Sequence, residues 1–567
     1  MSSKRRPTRS SLIWSSQSGP VAAPRYRPRT PAPAPEGTVG PDTEPRATET
    51  VGRAARIRAP RPVAPASRDQ RARREPRRRT AEAATQPVVP ARPANPVAAG
   101  SESGLHPLTD RAMNRRLRDY EERTKRAFDD IVPVLKRLSA LGWTPDFEHQ
   151  AQRIAEAELG FQLPSRLLED AWVAGLDIRT LFAWTVFETY RRMADEFFLN
   201  DPLCGRDTEG FDQMIQDCGF HLFDVTPCAD GRLAHAVSYV LRLPFAAVRR
   251  KSYAGSLFDV ENTVAKWVEV ELGRYREGKP NTADTPTRYL KAAIYHYSSV
   301  DPTHQGCAAH GSNEAVAATA AIERLSAFRE AVENSFCCGA SVALLLIGLD
   351  TDTDAIRIHL PDAMGQLSPA QGVDAAKVHA MTRDLSAEAA RSRIAELVRT
   401  HAPASADAGM VRLAAQLIEN NLSQIDYVRQ YQGGHYPDIG HAERFVGAGI
   451  GFEEIQLRNL TYFAYLDTVE EGAADLDVGC TIFRGLNVAH GLPIPVVIRF
   501  DYHGRVPGAR DRAVQRCQRL DLALADRFEG LAAQGMLHRL LAVRDRDAES
   551  GIEVIGDSLG LIVAEGH

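Results

Sequence analysis

In the stretch PCADGRL (227–233), Cys228, Asp230 and Arg232 stand two residues apart. A thiolate can ligate a metal. A carboxylate beside that metal can accept a hydrogen bond from bound water, and a guanidinium can hold the carboxylate through a bidentate pair. Downstream, IYHYSSVDPTHQGC (294–307) supplies His296, His304 and Cys307. Two cysteines and one histidine form a Cys2His set, which leaves the fourth position of tetrahedral Zn2+ open to water. Two thiolates offset the charge of the ion, so bound water is acidified less than at an all-histidine site. Activity is therefore expected to rise with pH above neutrality. Residue types alone also fit a structural thiol beside a surface ion pair, and His296 could equally be a satisfied core histidine.

Such ligands need rigid strand ends to hold them. AHAVSYVLRLP (234–244), LKAAIYHYSS (290–299) and SVALLLIGLD (341–350) read as buried strands, and NEAVAATAAIERLSAFREAVENSF (313–336) reads as a helix. Strands alternating with helices predict an α/β sheet. Upstream, Leu117, Tyr120, Thr124, Ala127, Ile131, Leu135 and Leu138 recur at steps of three and four, a helical period that Pro133 should kink or restart. Three stretches recur in order near the C-terminus. DVTPCADGR (224–232) aligns with DVGCTIFR (477–484), AAIYHYSSVDP (292–302) with VVIRFDYHGRVP (496–507), and LLIGLDTDTDAIRIHLPD (345–362) with LLAVRDRDAESGIEVIGD (540–557). This predicts a duplicated domain. In the second copy Ile482 replaces the aspartate and Phe500 falls where His296 would be, although Cys480 and Arg484 match Cys228 and Arg232. That copy is expected not to assemble the site.

The chain has 567 residues, 44% of them hydrophobic, enough for several domains with real cores. Its net charge of −4 hides a split: residues 1–100 hold 20 Lys or Arg against 7 Asp or Glu. A basic tail leading an acidic body points to an acidic partner. The tail also holds 17 of the 34 prolines and few large apolar residues, so it is expected to be disordered, with Leu12, Ile13, Trp14 and Tyr26 as sparse anchors. Eight scattered cysteines predict a reducing compartment rather than a disulfide framework. No apolar run reaches membrane-spanning length, and SLIW is too short for a signal-peptide core. DTDTD (350–354) lacks the glycine and distal glutamate of a calcium loop and reads as a hairpin turn. Cys337, Cys338 and Cys517 read as core residues, and Cys204 and Cys218 as structural thiols.

CADGR followed by a strand-end histidine and a cysteine resembles the zinc motif of β-class carbonic anhydrases, which pair Cys-x-Asp-x-Arg with His-x-x-Cys. HQGC meets that short form through His304. From about residue 105 to 567 the chain more closely resembles the carboxysomal shell carbonic anhydrases of α-carboxysomes, a divergent β-class-like family. The resemblance rests on HYSSVDPTHQGC, GHAERF and the order of tail, helical part, zinc part and second copy. That family separates the histidine and second cysteine by a longer insertion. The resemblance therefore implies Cys228, His296 and Cys307 as ligands and Asp230 and Arg232 as a dyad, with His304 the rival ligand.

The resemblance further implies an α/β fold with a disordered basic tail (1–104), a helical domain (105–200), a β-carbonic-anhydrase-like catalytic zinc domain (201–450) and a degenerate, non-catalytic repeat (451–567) standing in for a partner subunit. It implies a zinc lyase interconverting bicarbonate and CO2 at the inner face of a carboxysome shell in the bacterial cytoplasm, supplying CO2 to Rubisco. The tail would contact Rubisco or shell proteins. A homo-oligomer is expected, a dimer or an assembly of dimers, with no membrane contact. Each turnover releases a proton, and His304, His310, His435 and His441 are candidates to carry it, His441 in DIGHAERF foremost. The competing expectation is a zinc-stabilised scaffold whose tail recruits an acidic partner. An Arg-rich tail can also bind nucleic acid through phosphates, but stacking aromatics and a recognition helix are missing from the pattern.

Overall fold

A computed structural model describes residues 104–561 apart from 142–143, 170, 172–174, 204–207, 245–247, 283, 336–340 and 467–468. The basic tail, Cys204, Cys337 and Cys338 lie outside the described residues. The helical part comprises Arg111–Asp129, Ile131–Leu141, Phe147–Glu158, Ser165–Glu169 and Ile178–Asn200. Asp110 caps the first of these, accepting from the Met113 N–H at 2.9 Å. The chain breaks at Asp130 and restarts at Ile131, which places Pro133 in a first turn where its missing N–H has no intrahelical partner to lose. Leu117, Tyr120, Leu135 and Leu138 are buried as their spacing predicts, but Phe128 rather than Ala127 faces the core. Among the described residues no helix is long and apolar enough to cross a membrane.

The first sheet contains β1 (Leu222–Pro227), β2 (Arg249–Arg250), β3 (Arg288–Tyr297), β4 (Ser341–Asp350), β5 (Ile356–His359) and β6 (Val373–Asp374), in the order β2-β1-β3-β4-β5-β6. β2, β1, β3 and β4 run parallel, β5 runs antiparallel to β4, and β6 antiparallel to β5. β1 is buried along its whole length, as a parallel strand covered on both faces should be. DTDTD forms the β4–β5 hairpin turn, as expected. Its carboxylates serve the protein itself: Ser299 Oγ donates to Asp350 at 2.7 Å and Ser298 Oγ to Asp352 at 2.7 Å. The loop after β3 is thereby tied to the hairpin.

One expected strand does not form. Residues 234–244 are largely buried but form a π-helical turn (Ala236–Val240), which follows a 3-10 turn at Gly231–Leu233. A continuous apolar run carries no period, so burial alone cannot distinguish a strand from a buried helical turn.

The second sheet contains β7 (Phe445–Ile450), β8 (Thr461–Tyr465), β9 (Ile494–Tyr502), β10 (Leu537–Asp545) and β11 (Glu553–Asp557), in the order β11-β10-β9-β7-β8. It begins at Phe445, upstream of residue 451. Both sheets share one plan: the first strand is flanked by the second and third, the fourth runs parallel to the third, and the fifth returns antiparallel. The repeated LLIGLD and LLAVRD stretches form β4 and β10. The match of DVGCTIFR to DVTPCADGR fails in three dimensions. Residues 477–484 lie within the helix Val469–Leu486, whereas the position directly after β7, equivalent to Cys228 after β1, is held by Gly451. Leu476, Cys480 and Phe483 are buried at steps of four and three, so helical periodicity prevails over four shared letters. Cys480 is thus a helix core residue, its thiol pushed up to about 12 by burial. Cys517 is a core residue too, within the helix Ala509–Arg527.

Candidate metal centre and active site

The site forms beyond the C-terminal ends of β1 and β3, the edge where parallel sheets receive ligands. Cys228 comes directly after β1. Its N–H donates to the Ile294 carbonyl at 3.2 Å, and it bridges to Tyr253, so the thiol is fixed by sheet geometry. His296 lies near the end of β3, and Cys307 ends the next loop, just before the 3-10 turn Ala308–His310. The potential ligand atoms of Cys228, His296 and Cys307 lie within 4.8 Å of one another, and all three residues are buried. Gly255, at φ +64°, aims its N–H at Cys228 Sγ at 3.3 Å. Only glycine adopts that backbone readily, and the N–H stabilises a thiolate.

Neither ring nitrogen of His296 finds a hydrogen-bond partner, although both are fully buried. Its nearest carboxylate, Asp230 Oδ2, stands 3.6 Å from Nε2. Buried polar atoms are almost always satisfied, so an idle imidazole beside two thiols argues for an occupant with a positive charge. Two sulfurs and one imidazole nitrogen are the donor set of a borderline-soft divalent ion, and the residues fit such an ion. The thiols already interact: hydrogen bonding with Cys307, then burial, pushes Cys228 up, with His296 opposing. The same bond pulls Cys307 down.

Asp230 and Arg232 form the bidentate pair. Arg232 Nε donates to Oδ1 at 3.0 Å and Nη2 to Oδ2 at 2.8 Å, while the Arg232 N–H adds a bond to Oδ1 at 2.9 Å. Burial works against the Asp230 carboxylate. The guanidinium outweighs it and, with His296, holds the group well below the usual carboxylate range. Arg232 also donates to the carbonyls of Gln305 at 2.6 Å and Gly306 at 3.3 Å, and so pins the loop carrying Cys307. His304 stands outside the cluster. Its side chain is 80% exposed and bonds Asp301 at 3.0 Å. His310 is half-buried and hydrogen-bonded to the Gly255 carbonyl at 3.2 Å, whereas His435 is exposed. His441 is partly exposed. The hydrogen bond to Glu443 raises its pKa first, burial lowers it, and Asp230 raises it while Arg232 lowers it.

Three residues that sequence reasoning did not single out hold the back of this loop. The Asn459 N–H donates to the Gly231 carbonyl at 2.9 Å, Arg458 Nη1 to the Arg232 carbonyl at 3.3 Å, and Glu443 packs on Gly231. All three come from the segment around β7 and β8.

Three family models match the chain: Carboxysome Shell Carbonic Anhydrase, N-terminal, over residues 106–198; its catalytic domain over 210–441; and its C-terminal part over 442–559. The chain belongs to the carboxysome shell carbonic anhydrase family. It is a carbonic anhydrase. It is 59% identical over 466 residues to the carboxysome shell carbonic anhydrase of Parasynechococcus marenigrum (strain WH8102), covering 82% of this chain and 80% of the relative. It is 58% identical to that of Prochlorococcus marinus (strain MIT 9313), covering 82% and 91%. It is 46% identical to that of Halothiobacillus neapolitanus (strain ATCC 23641 / c2), covering 80% and 90%. The catalytic match of this carbonic anhydrase contains Cys228, Asp230, Arg232, His296, Cys307 and, as its last residue, His441. Glu443, Arg458 and Asn459 fall in the C-terminal match, so the Gly231–Arg232 loop is contacted from a second family region.

Proposed function

We propose that this carbonic anhydrase holds Zn2+ through Cys228, His296 and Cys307 and interconverts CO2 and bicarbonate. The observation that carries this reading is the buried Cys-His-Cys cluster whose imidazole has no hydrogen-bond partner. Zinc supplies, when bound, a Lewis acid that activates water near neutral pH. The chain supplies the rest. Arg232 keeps Asp230 ionised and turned toward itself, so the carboxylate remains a hydrogen-bond acceptor beside the site rather than a fourth ligand. His441, near the dyad and partly open to solvent, carries the proton away.

The relatives are named for the carboxysome shell, and this reading places the present chain there, at the inner face, delivering CO2 to Rubisco. The basic tail, with its excess of arginine, is the segment to contact acidic surfaces of Rubisco or shell proteins. In this reading the boundaries drawn from the sequence separate tail, helical, catalytic and repeat units. The shared strand plan supports descent of residues 451–567 and β7 from a copy of the catalytic unit. That copy would occupy the place a second subunit takes in β-class enzymes, and the chain would assemble as dimers or larger sets of dimers.

The test is stopped-flow CO2 hydration with elemental analysis on the purified full chain. Wild type is expected to carry one zinc per chain and to be active. Cys228→Ser is expected to lose zinc and activity together, and Asp230→Ala to keep zinc but lose activity. Full activity in both variants refutes the assignment.

A further inference from the structure

We infer that Glu443 is a positioning residue for proton transfer: it reaches from the C-terminal half across Gly231 and fixes the His441 ring beside the Asp230–Arg232 pair. The inference rests on the reading of His441 as the proton carrier.

The Glu443 side chain is 1% exposed, whereas that of His441 is 46% exposed. A carboxylate so buried needs partners. Oε1 has one, His441 Nδ1 at 3.2 Å, and Oε2 is buried with no partner. The other groups acting on His441 are Asp230 and Arg232. The neighbouring Arg444 is engaged elsewhere, by Asp129 at 3.0 Å and the Asn459 carbonyl at 2.9 Å.

Gly231 shows that this approach is built into the loop. Its φ is not in the left-handed region, so the backbone does not demand glycine there. The close approach of Glu443 favours it: a Cβ on Gly231 would stand 2.9 Å from both Cγ and Cδ of Glu443, and that side chain would have to shift. The residue between the dyad partners is thus bare where Glu443 crosses it. With Nδ1–H donated to Glu443, the neutral ring keeps Nε2 as the nitrogen that takes up and releases a proton. The carboxylate also stabilises the imidazolium that forms on uptake. Glu443 therefore sets both tautomer and basicity.

The experiment compares Glu443→Gln and His441→Ala in the zinc-loaded full chain, with kcat and kcat/KM for CO2 hydration measured across pH and buffer concentration. In this reading proton transfer follows the CO2-binding steps, so its loss is read in kcat rather than in kcat/KM. His441→Ala is expected to lower kcat about tenfold or more at low buffer, within the range for loss of a proton-transfer group, with imidazole restoring it. Glu443→Gln is expected to lower kcat several-fold, move the kcat–pH midpoint toward acid, leave kcat/KM unchanged and respond to imidazole. If His441→Ala lowers kcat while Glu443→Gln changes neither kcat nor its pH profile, the inference on Glu443 is wrong and His441 stands. If His441→Ala has no effect, the reading of His441 fails first. Equal losses in kcat and kcat/KM for Glu443→Gln also overturn the inference, because they assign the residue to loop structure. Nitrogen-15 shifts of His441 in the wild-type chain test the same claim without a Glu443 variant. Nδ1–H is expected in the neutral ring, and the Nε2–H tautomer contradicts it.

Discussion

Replacing Arg232 with methionine separates the two tasks of the guanidinium. Methionine keeps an apolar stem but removes the bidentate clamp on Asp230 and the donors to Gln305 and Gly306. Asp230 is then an ionised carboxylate with an 11% exposed side chain, left with the Arg232 backbone N–H and the His296 ring nearby. Breaking a buried ion pair from one side destabilises by about 3–5 kcal/mol, because the remaining charge stays desolvated. Each freed carbonyl adds about 1 kcal/mol. The double variant Asp230→Asn/Arg232→Met removes the stranded charge but not the freed carbonyls. It is expected to recover most of the first contribution and none of the second.

Urea denaturation of the zinc-loaded proteins measures these differences, and pH provides an internal control. In the wild type, Asp230 is held well below the usual carboxylate range. A depressed folded pKa contributes stability above the unfolded value, near 3.9, and that stability is lost as pH falls through the folded pKa. In Arg232→Met, burial is no longer countered by the guanidinium and the pKa rises. The penalty is then present above the raised pKa and fades as pH falls through it. The gap between the two proteins should therefore be widest near neutrality and narrow toward about pH 5. A double variant no more stable than the single one, or a gap that widens in acid, refutes the reasoning.

Metal removal, the second buried ion cluster and one buried histidine give further expected outcomes. Chelation of the metal is expected to abolish CO2 hydration and lower the unfolding midpoint together, and a metal-free preparation with full activity contradicts this. Arg499→Met should cost about 3–5 kcal/mol in urea denaturation, since the fully buried guanidinium bonds Glu454 at 2.7 Å and Asp501 at 2.8 Å. His106 is held at about 4 by burial and by His379, with Asp426 opposing. A base with a lowered folded pKa loses stability as pH falls from its unfolded value, about 6.5, through 4. His106→Gln should flatten the dependence of the unfolding midpoint on pH in that window.

The candidate ligands were legible because their identities carry the chemistry, but spacing alone could not choose between His296 and His304 as the partner of the two cysteines. β3 places His296 inward beside the two cysteines, while His304 sits on a turn anchored by Asp301. The helical part was legible through its period, with Phe128 displacing Ala127 because the bulkier side chain fills the core. The misread stretches, 234–244 and 477–484, show where local pattern is weakest. One is an apolar run without a period, and the other is a short match that lies within a helix. Glu443 was in plain view in GHAERF, two residues beyond His441, yet its role depends on contact with Gly231 more than two hundred residues away. No local signal encodes such a contact. The one oblique sign is glycine between the dyad residues in CADGR.

The two sheets share a strand plan but carry different groups at their ends. Beyond β1 and β3, two thiols and an imidazole gather around space for an ion. Beyond β7 and on β9, Arg499 lies between Glu454 and Asp501, capped by the Tyr190 hydroxyl at 2.8 Å and by the ring of Phe452 at 4.5 Å. A guanidinium is a permanent cation whose donors are all directed at fixed acceptors, and it leaves no coordination site for water. The second cluster can therefore bear load without doing chemistry. Tyr190 comes from the helix Ile178–Asn200, so the same cluster ties the helical part to the second sheet. From that braced sheet come Asn459, Arg458 and Glu443, which grip the loop carrying Asp230 and Arg232. The half without the Cys-His-Cys cluster thus lends stiffness to the half that carries it. Softening Arg499 and softening the dyad loop should then prove coupled in a double-mutant cycle only where the grip on Gly231 and Arg232 is intact.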